Sequence, residues 1–203
     1  MSARAITYTR ATSGPSNGRM TDRPRDGFTI FLTGLPSAGK TTTAEALRRV
    51  LAARTSRLVT LLDADVLRRE RWPHLGFSRA DREANLRGMA GLAADITKRG
   101  GIAICAAIAP YAGVRDELRV SIEPVGGFIL VHVATPMPIC ERRDPKGLYV
   151  RARRGEIERF TGISDVYEPP TAPDVVVDTT ELSPDAAARR ILDHLAVHGY
   201  VGP

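Results

Sequence analysis

The sequence predicts an α/β fold, a single parallel sheet of about five strands with helices on both faces, making three layers. Three observations carry this. From Phe28 onward, short apolar runs alternate with longer helical stretches, the order a parallel sheet requires. The run Ile102 to Ile108 is apolar without a break, as in a strand covered on both faces. A glycine-rich turn, Gly34 to Thr41, falls between the first strand and the first helix, the setting in which such turns bind phosphate.

Each element follows in order. Phe28 to Thr33 is the first strand and Thr41 to Ala53 the first helix. Leu58 to Leu62 is the second strand, ending at Asp63-Ala64-Asp65. Arg79 to Arg99 is a long helix with acids in its first turn and Gly100-Gly101 at its end, the usual start and stop signals. After the strand Ile102 to Ile108 come a helix over Tyr111 to Glu123, a strand over Phe128 to Val133 and a helix over Pro136 to Arg143. A loop-rich stretch then runs to Pro173, followed by a short strand, Val175 to Val177, and an amphipathic helix, Ser183 to His198. The total is five strands and roughly six helices, with no internal repeat. Residues 1–26 mix Ser, Thr, Gly, Pro, Asn and Arg without hydrophobic periodicity and predict a flexible tail ahead of one domain spanning 27–203.

Composition narrows the function classes. The chain has 203 residues, 43% of them hydrophobic and 26% charged, which fits one ordinary globular domain. No apolar run approaches the roughly 20 residues of a membrane span, and residues 1–27 contain no segment resembling a secretory signal. Cys105 and Cys140 sit in apolar stretches and are expected to be buried free thiols in a reducing cytoplasm, with a disulfide between them as the minor alternative. The net charge of +6 suits either nucleic acid or anionic small molecules. Its arginines, at 68–71 and 142–159, are interspersed with acids and glycines. No basic run interleaved with aromatics is present, so nucleic acid is not the expected partner.

The turn Gly34-Leu35-Pro36-Ser37-Ala38-Gly39-Lys40-Thr41, continued by Thr42, matches G-x-x-x-x-G-K-[ST] at every fixed position. Glycines let the backbone curl so that successive N–H groups point inward at phosphate oxygens, and the helix N-terminus adds partial positive charge. Lys40 is expected on the β- and γ-phosphates of ATP and Thr41 on Mg²⁺. A three-layer P-loop fold follows, and the loop alone does not separate kinases from NTP-driven motors or GTPases; the rest of the chain points to a P-loop kinase. The strand Ile102 to Ile108 ends in Ala109-Pro110-Tyr111 without a carboxylate, whereas the second strand ends in Asp63 and Asp65. At the carboxyl edge of a parallel sheet these acids face the phosphate loop, which suits a kinase that orients an acceptor hydroxyl; a plain Asx turn is the alternative. The guanine-selective N-K-x-D is absent.

The remaining motifs resemble those of the adenylylsulfate kinase family, most closely the kinase domains found fused to ATP sulfurylase. The resemblance rests on Leu75-Gly76-Phe77-Ser78 with Asp81-Arg82-Glu83-Ala84-Asn85-Leu86-Arg87, on Ile108-Ala109-Pro110-Tyr111, and on Cys140-Glu141-Arg142-Arg143-Asp144-Pro145-Lys146-Gly147-Leu148-Tyr149. Ala152 to Ile157, Phe160-Thr161-Gly162-Ile163, Tyr167-Glu168-Pro169-Pro170 and Val177-Asp178-Thr179 continue it. It implies transfer of the ATP γ-phosphoryl to the 3′-hydroxyl of adenylylsulfate, with Mg²⁺ held by Thr41 and Asp63, and with Lys40, Asp63 and Asp65 catalytic. Residues 34–42 and Arg143 would bind ATP. Asp63, Arg68, Arg82, Asn85 and Ile108-Ala109-Pro110 would meet adenylylsulfate, and Phe77 and Phe160 would sandwich its adenine. Lys146, Gly147 and Leu148 would lie in a lid over about 142–170. A homodimer is implied, with ATP sulfurylase as a further partner.

Two departures stand out. The family's Asp-Gly-Asp-Asn is Asp63-Ala64-Asp65-Val66 here, and a serine associated with a phosphorylated form is replaced by Ala109. Direct transfer from ATP is therefore expected. A kinase of the same fold acting on another nucleotide or small hydroxyl compound, and a nucleotide-binding module without turnover, are the alternative readings. His194 and His198 have i, i+4 spacing but no third ligand, so no metal site is expected there.

Overall fold

The computed structural model describes Tyr8–Thr9 and residues 27–202. The rest of the expected tail over 1–26 lies outside the described residues. Six strands, β1 (Tyr8–Thr9), β2 (Phe28–Thr33), β3 (Val59–Asp63), β4 (Ile102–Ala106), β5 (Gly127–Val133) and β6 (Val175–Val177), form one sheet in the order β1-β3-β4-β2-β5-β6. The five expected strands are all present and mutually parallel. The sixth falls within the span expected as a flexible tail: Tyr8–Thr9 pairs antiparallel with Val59–Thr60 of β3. Without it β3 would be an edge strand with unpaired backbone groups, which readily take another segment. Two residues are too few to leave an alternating pattern in the sequence.

Register follows from what each strand residue faces. Phe28, Ile30 and Leu32 of β2, Ile102, Ile104 and Ala106 of β4, and Ile129, Val131 and Val133 of β5 belong to one buried cluster. Their chain neighbours Phe31, Ala103, Cys105, Phe128 and Leu130 belong to the cluster on the opposite face. A one-residue slip would exchange the two sets. Helices α1 (Lys40–Arg54) and α7 (Pro184–Val197) cover the first face through Leu47, Leu51, Ile191 and Leu195. Helices α3 (Arg79–Lys98) and α4 (Ala112–Ile122) cover the second through Leu86, Met89, Val114 and Leu118. Each buried Leu of this kind contributes roughly 1.5–3 kcal/mol by leaving water. Cys105 and Cys140 are both free and buried. No helix among the described residues is long and apolar enough to cross a membrane.

Ends are set locally. Ser78 caps α3 by accepting from the Asp81 amide, and Ser183 caps α7 with Pro184 at its first position, as Ser and Pro favour at helix starts. Three helices were not foreseen as such. α2 (Ala64–Glu70) follows β3 directly, α6 (Leu148–Arg153) falls inside the expected loop-rich stretch, and Glu123–Val125 is one turn of 3₁₀ helix. With α5 (Met137–Arg143) the described α-helices number seven. Both α2 and α6 have at most 7 residues, too short to show a period of 3.6.

The sheet's amino edge is closed by a close backbone approach. A Cβ on Gly126 would stand 2.3 Å from the Gly27 carbonyl oxygen and 2.4 Å from Thr97 Cγ2. Gly126→Ala is therefore expected to destabilise by about 1–3 kcal/mol, the usual effect of overpacking, seen as a lower urea midpoint at unchanged slope. An unaltered midpoint would mean that this edge relaxes freely.

Candidate active site

Register places the carboxyl ends of β2, β3, β4, β5 and β6 along one edge, and β2 lies between β4 and β5. The crevice outside such a switch point is where open α/β sheets bind ligands. The turn 34–39 leaves β2 here. Ser37 (φ 60°) and Gly39 (φ 93°) are left-handed, which curls the chain into a cradle. Gly39 is required doubly, since a Cβ there would also come 3.0 Å from Thr179 Oγ1. No side chain caps the N-terminus of α1 and its first turn carries no acid, so its positive end is left for an anion.

The cradle is pinned from below. The Ala38 carbonyl accepts from Thr135 Oγ1 at 3.1 Å and from Thr179 Oγ1 at 2.9 Å, and the two hydroxyls are 2.8 Å apart. Arg143, expected near the base of ATP, donates to Thr179 Oγ1 at 2.8 Å and to the Thr179 carbonyl. It is thus tied to the support of the loop. Tyr149 is fully buried and donates to the Pro36 carbonyl at 3.0 Å. Thr135 was missed by sequence reasoning, and Thr179 and Tyr149 were recognised only as parts of motifs. Their partners lie 97 to 141 residues away, and no local pattern marks such a pairing.

Lys40 donates to the carbonyls of Gly34 and Leu35 at 2.9 and 2.7 Å. Burial lowers its pKa to about 8, against the opposing pull of Asp65 and Asp63. Asp63 uses its two oxygens differently. Oδ1 caps α2 by accepting from the Asp65 and Val66 amides at 2.9 and 3.2 Å, while Oδ2 accepts from Thr41 Oγ1 at 2.7 Å. The Asx turn and the site carboxylate are therefore one residue with two functions. Asp65 Oδ2 accepts from Lys146 at 2.7 Å. Burial works against the charge on Asp65, but the hydrogen bond and charge of Lys146, with Lys40 and Arg68, outweigh it and lower its pKa. The hydrogen bond to Asp65 in turn raises Lys146. Both side chains are more than 60% exposed, so the pair is a weak tie that solvent screens.

The oxygens of Thr41, Asp63 and Asp65 are the donor type magnesium takes, and an ion that keeps phosphate and water ligands needs only one or two carboxylates. This fits a site without a dedicated cage, and no group of three or more His, Cys, Asp or Glu that could hold a metal occurs among the described residues. His194 and His198 merely stack, with ring centroids 4.0 Å apart.

The acceptor residues cluster around the start of α3. Asn85 is buried and donates from Nδ2 to the Ala64 carbonyl at 3.1 Å. Its Oδ1 has no hydrogen-bond partner among the described residues, and a buried acceptor of this kind calls for a donor. Arg68 donates to the Gly76 carbonyl and lies over the Phe77 ring, 4.9 Å from its centroid. Phe77 is 69% exposed, whereas Phe160 is 7% exposed and packs edge-on to Tyr149 at 4.9 Å. One ring is a surface group and the other mainly a core group, so the two are not equivalent walls. Arg82 bonds the Phe77 carbonyl, Thr161 Oγ1, Asp165 and the Arg159 carbonyl.

The Ile108-Ala109-Pro110 turn acts through its backbone. The Ile108 carbonyl accepts from Thr33 Oγ1, Ala109 (φ 43°) offers its carbonyl to the buried Arg115 at 2.7 Å, and Pro110 accepts from the Glu168 amide at 2.8 Å. Gly147 is left-handed (φ 64°) and starts α6 at Leu148, which places Lys146 at the turn facing Asp65. A separate cavity of about 340 Å³ lies between α3 and β3, lined by Leu62, Leu92, Ile96 and Arg99 among others. It shares no residue with this site.

Comparison with known proteins agrees with this geometry. The family model described as adenylylsulphate kinase matches residues 26–178. The structure of the Mycobacterium tuberculosis APS kinase in complex with AMPPNP and APS is similar with a TM-score of 0.80 and 38% identity, covering 85% of this chain and 99% of that one. A hexameric APS kinase from Thiobacillus denitrificans is 43% identical with a TM-score of 0.69, over 88% of this chain and 30% of its own. A sulfate adenylyltransferase of Coccidioides immitis is 44% identical over 179 residues, 88% of this chain. The chain spans only 31% of the length of that relative. With its family model, its sequence relatives and its carboxyl-edge site in agreement, the chain belongs to the adenylylsulphate kinase family of ATP-dependent kinases.

Proposed function

We propose that this chain transfers the γ-phosphoryl group of ATP to the 3′-hydroxyl of adenylylsulfate, giving ADP and 3′-phosphoadenylylsulfate. The observation that carries the proposal is the meeting of Lys40, the Thr41–Asp63 pair and the Asp65–Lys146 pair at one sheet edge. The cradle holds the nucleotide phosphates by backbone N–H groups and the N-terminus of α1. Lys40 exchanges its two carbonyl partners for β- and γ-phosphate oxygens. Asp63 Oδ2 orients the acceptor hydroxyl and takes its proton as the oxygen bonds to phosphorus and the bond to ADP breaks. Thr41 and Asp63 would hold magnesium, which would supply positive charge to offset that of the transferring phosphoryl group. Asn85 Oδ1, an acceptor, suits a hydroxyl or amine donor of the nucleotide. Arginines answer the anionic phosphosulfate and the aromatic rings its flat base.

The wider setting belongs to the same proposal. A sulfate adenylyltransferase supplies the acceptor, a pairing supported by the relatives of that name. A homodimer is the assembly implied by the resemblance, and a similar protein described as hexameric supports self-association. A cytoplasmic location is supported by two buried thiols left free.

Ala64, Val66 and Ala109 favour a second reading, a changed acceptor. Coupled ADP release with ATP, Mg²⁺ and adenylylsulfate, set against other nucleosides and nucleotides, separates the two. At least roughly tenfold preference for adenylylsulfate, about 1.4 kcal/mol, is expected; a different preferred acceptor would replace the proposal.

Asp63→Asn keeps an oxygen for the α2 cap but removes the base, so kcat is expected to fall about 10²–10⁴-fold with the fold intact by circular dichroism. A large rise in the KM for ATP with kcat preserved would instead make Asp63 a metal ligand only. Lys40→Ala is expected to lose about 10²–10³-fold.

The pH dependence has a definite sign. The protonated ammonium of Lys40 is the form that binds phosphate, and burial sets its pKa at about 8. Because kcat/KM reports the free enzyme, kcat/KM for ATP should fall as pH rises through about 8. Lys40→Arg should abolish that limb, since a guanidinium stays charged; a limb that persists would belong to another group.

A further inference from the structure

In a trans peptide the carbonyl and the N–H that follows it lie in one plane and point opposite ways. A side chain that fixes the direction of a loop carbonyl therefore also fixes where the next amide points. Two carbonyls of the phosphate loop are held in this way. Tyr149 Oη donates to the Pro36 carbonyl at 3.0 Å, and the amide at the other end of that peptide belongs to Ser37. Thr135 Oγ1 and Thr179 Oγ1 meet the Ala38 carbonyl at 3.1 and 2.9 Å, and that peptide ends in the Gly39 amide. Neither the Ser37 nor the Gly39 amide donates to a group among the described residues, whereas the Ala38 amide between them is spent on the Leu35 carbonyl at 3.2 Å. Ser37 and Gly39 are both left-handed, with φ 60° and 93°. Successive amides in such a backbone form an anion-binding nest.

The three hydroxyls are placed to hold this backbone and not to touch a ligand. Tyr149 is fully buried, and Thr135 and Thr179 are 3% and 7% exposed. Tyr149 belongs to α6, while Thr135 and Thr179 follow the ends of β5 and β6. Each threonine hydroxyl is fixed on a further side. Thr135 Oγ1 accepts from the Thr179 amide at 3.2 Å, and Thr179 Oγ1 accepts from Arg143 Nη1 at 2.8 Å. Their own hydrogens are left for the Ala38 carbonyl and for the 2.8 Å contact between the two oxygens. The Tyr149 ring is fixed edge-on against Phe160, with centroids 4.9 Å apart. Ser37 carries a Cβ, so its backbone conformation persists only where the surroundings impose it.

We infer that Tyr149 and the Thr135–Thr179 pair are positioning residues of the phosphate loop: Tyr149 aims the Ser37 amide, and the two threonines aim the Gly39 amide, at phosphate oxygens of the nucleotide. Each holder sets one peptide, so the two effects are separable. This rests on the reading above that the loop takes the phosphates of ATP.

The test follows the Ser37 and Gly39 amides by proton–nitrogen correlation NMR, with saturating ADP and, separately, with saturating inorganic tripolyphosphate. The proteins are the wild type, Tyr149→Phe, Thr135→Val and Thr135→Ser. In the wild type both amides are expected to move downfield as phosphate binds. Tyr149→Phe should lose most of the movement at Ser37 and keep that at Gly39. Thr135→Val should do the reverse, and Thr135→Ser, which keeps the hydroxyl, should behave as the wild type does. The Kd for tripolyphosphate should rise about fivefold in Tyr149→Phe and in Thr135→Val, the effect of one hydrogen bond. If one of these variants fails to fold, the other still decides at its own amide. Amides that move in both variants as they do in the wild type would overturn the inference. Equal losses at both amides in each variant, the mark of general loosening, would overturn it too. Tripolyphosphate carries neither base nor acceptor hydroxyl, so these outcomes stand whatever the acceptor is. The separable losses together with no turnover of adenylylsulfate would overturn only the functional reading. A wild type whose two amides stay unmoved by either ligand would overturn the inference and the ATP site with it.

Discussion

The alternation of strand side chains between two buried clusters is the constraint on which the remainder depends. In β2, β4 and β5 successive residues enter opposite clusters, and exchanging them would put whole faces of each strand in the wrong environment. Register in turn aligns the strand ends. Thr33, Asp63 and Ala106 come to one edge, and Thr135 and Thr179 follow the ends of β5 and β6. The phosphate cradle needs this alignment because its support comes from two threonines on two different strand ends, both bonded to the Ala38 carbonyl. Hydrophobic patterning far from the site thus decides where the polar groups of the site meet.

Within that frame the charged groups are held by bonds of unequal strength. Lys40 is buried among its own loop carbonyls, so its charge is disfavoured until an anion arrives. Asp65 and Lys146 form an exposed pair that solvent already screens. Opening that pair therefore sacrifices little, whereas the bonds beneath the cradle are buried and persist. The arrangement is rigid beneath the cradle and yielding above it, as suits a site that opens and closes around a ligand.

The sequence made the parallel sheet, the cradle and the acids at the end of β3 legible because each has a local pattern: an apolar run, a fixed glycine spacing, a strand followed by Asp. The pairing of Tyr8–Thr9 with β3 left no such pattern, and neither did the short helices α2 and α6. Side chains joined across the fold were equally hidden. Arg82 was singled out as a substrate contact, yet its partners at 159, 161 and 165 are set by tertiary packing. Phe160 and Phe77 look alike in sequence, and only burial separates a core ring from a surface ring. Residue types predicted the chemistry available; the fold decided how each group is spent.

The departures from the family pattern bear on the same distinction. The Asp63 carboxylate is held by the amides of residues 65 and 66 and by the Thr41 hydroxyl, not by the side chains at 64 and 66. Ala64 begins α2, where its Cβ limits backbone freedom compared with glycine, while the bonds that hold the carboxylate come from main-chain amides and Thr41. Ala109 adopts a left-handed backbone that costs a residue with a Cβ roughly 1–2 kcal/mol. Arg115 bonded to its carbonyl and Thr33 bonded to the carbonyl before it hold the turn there. Position 109 thus contributes shape through its main chain, and a hydroxyl at that side chain is not needed to form the turn. What these replacements can change is the polarity met by the acceptor, while the frame carrying Lys40, Thr41 and Asp63 stays as the sheet and the cradle dictate.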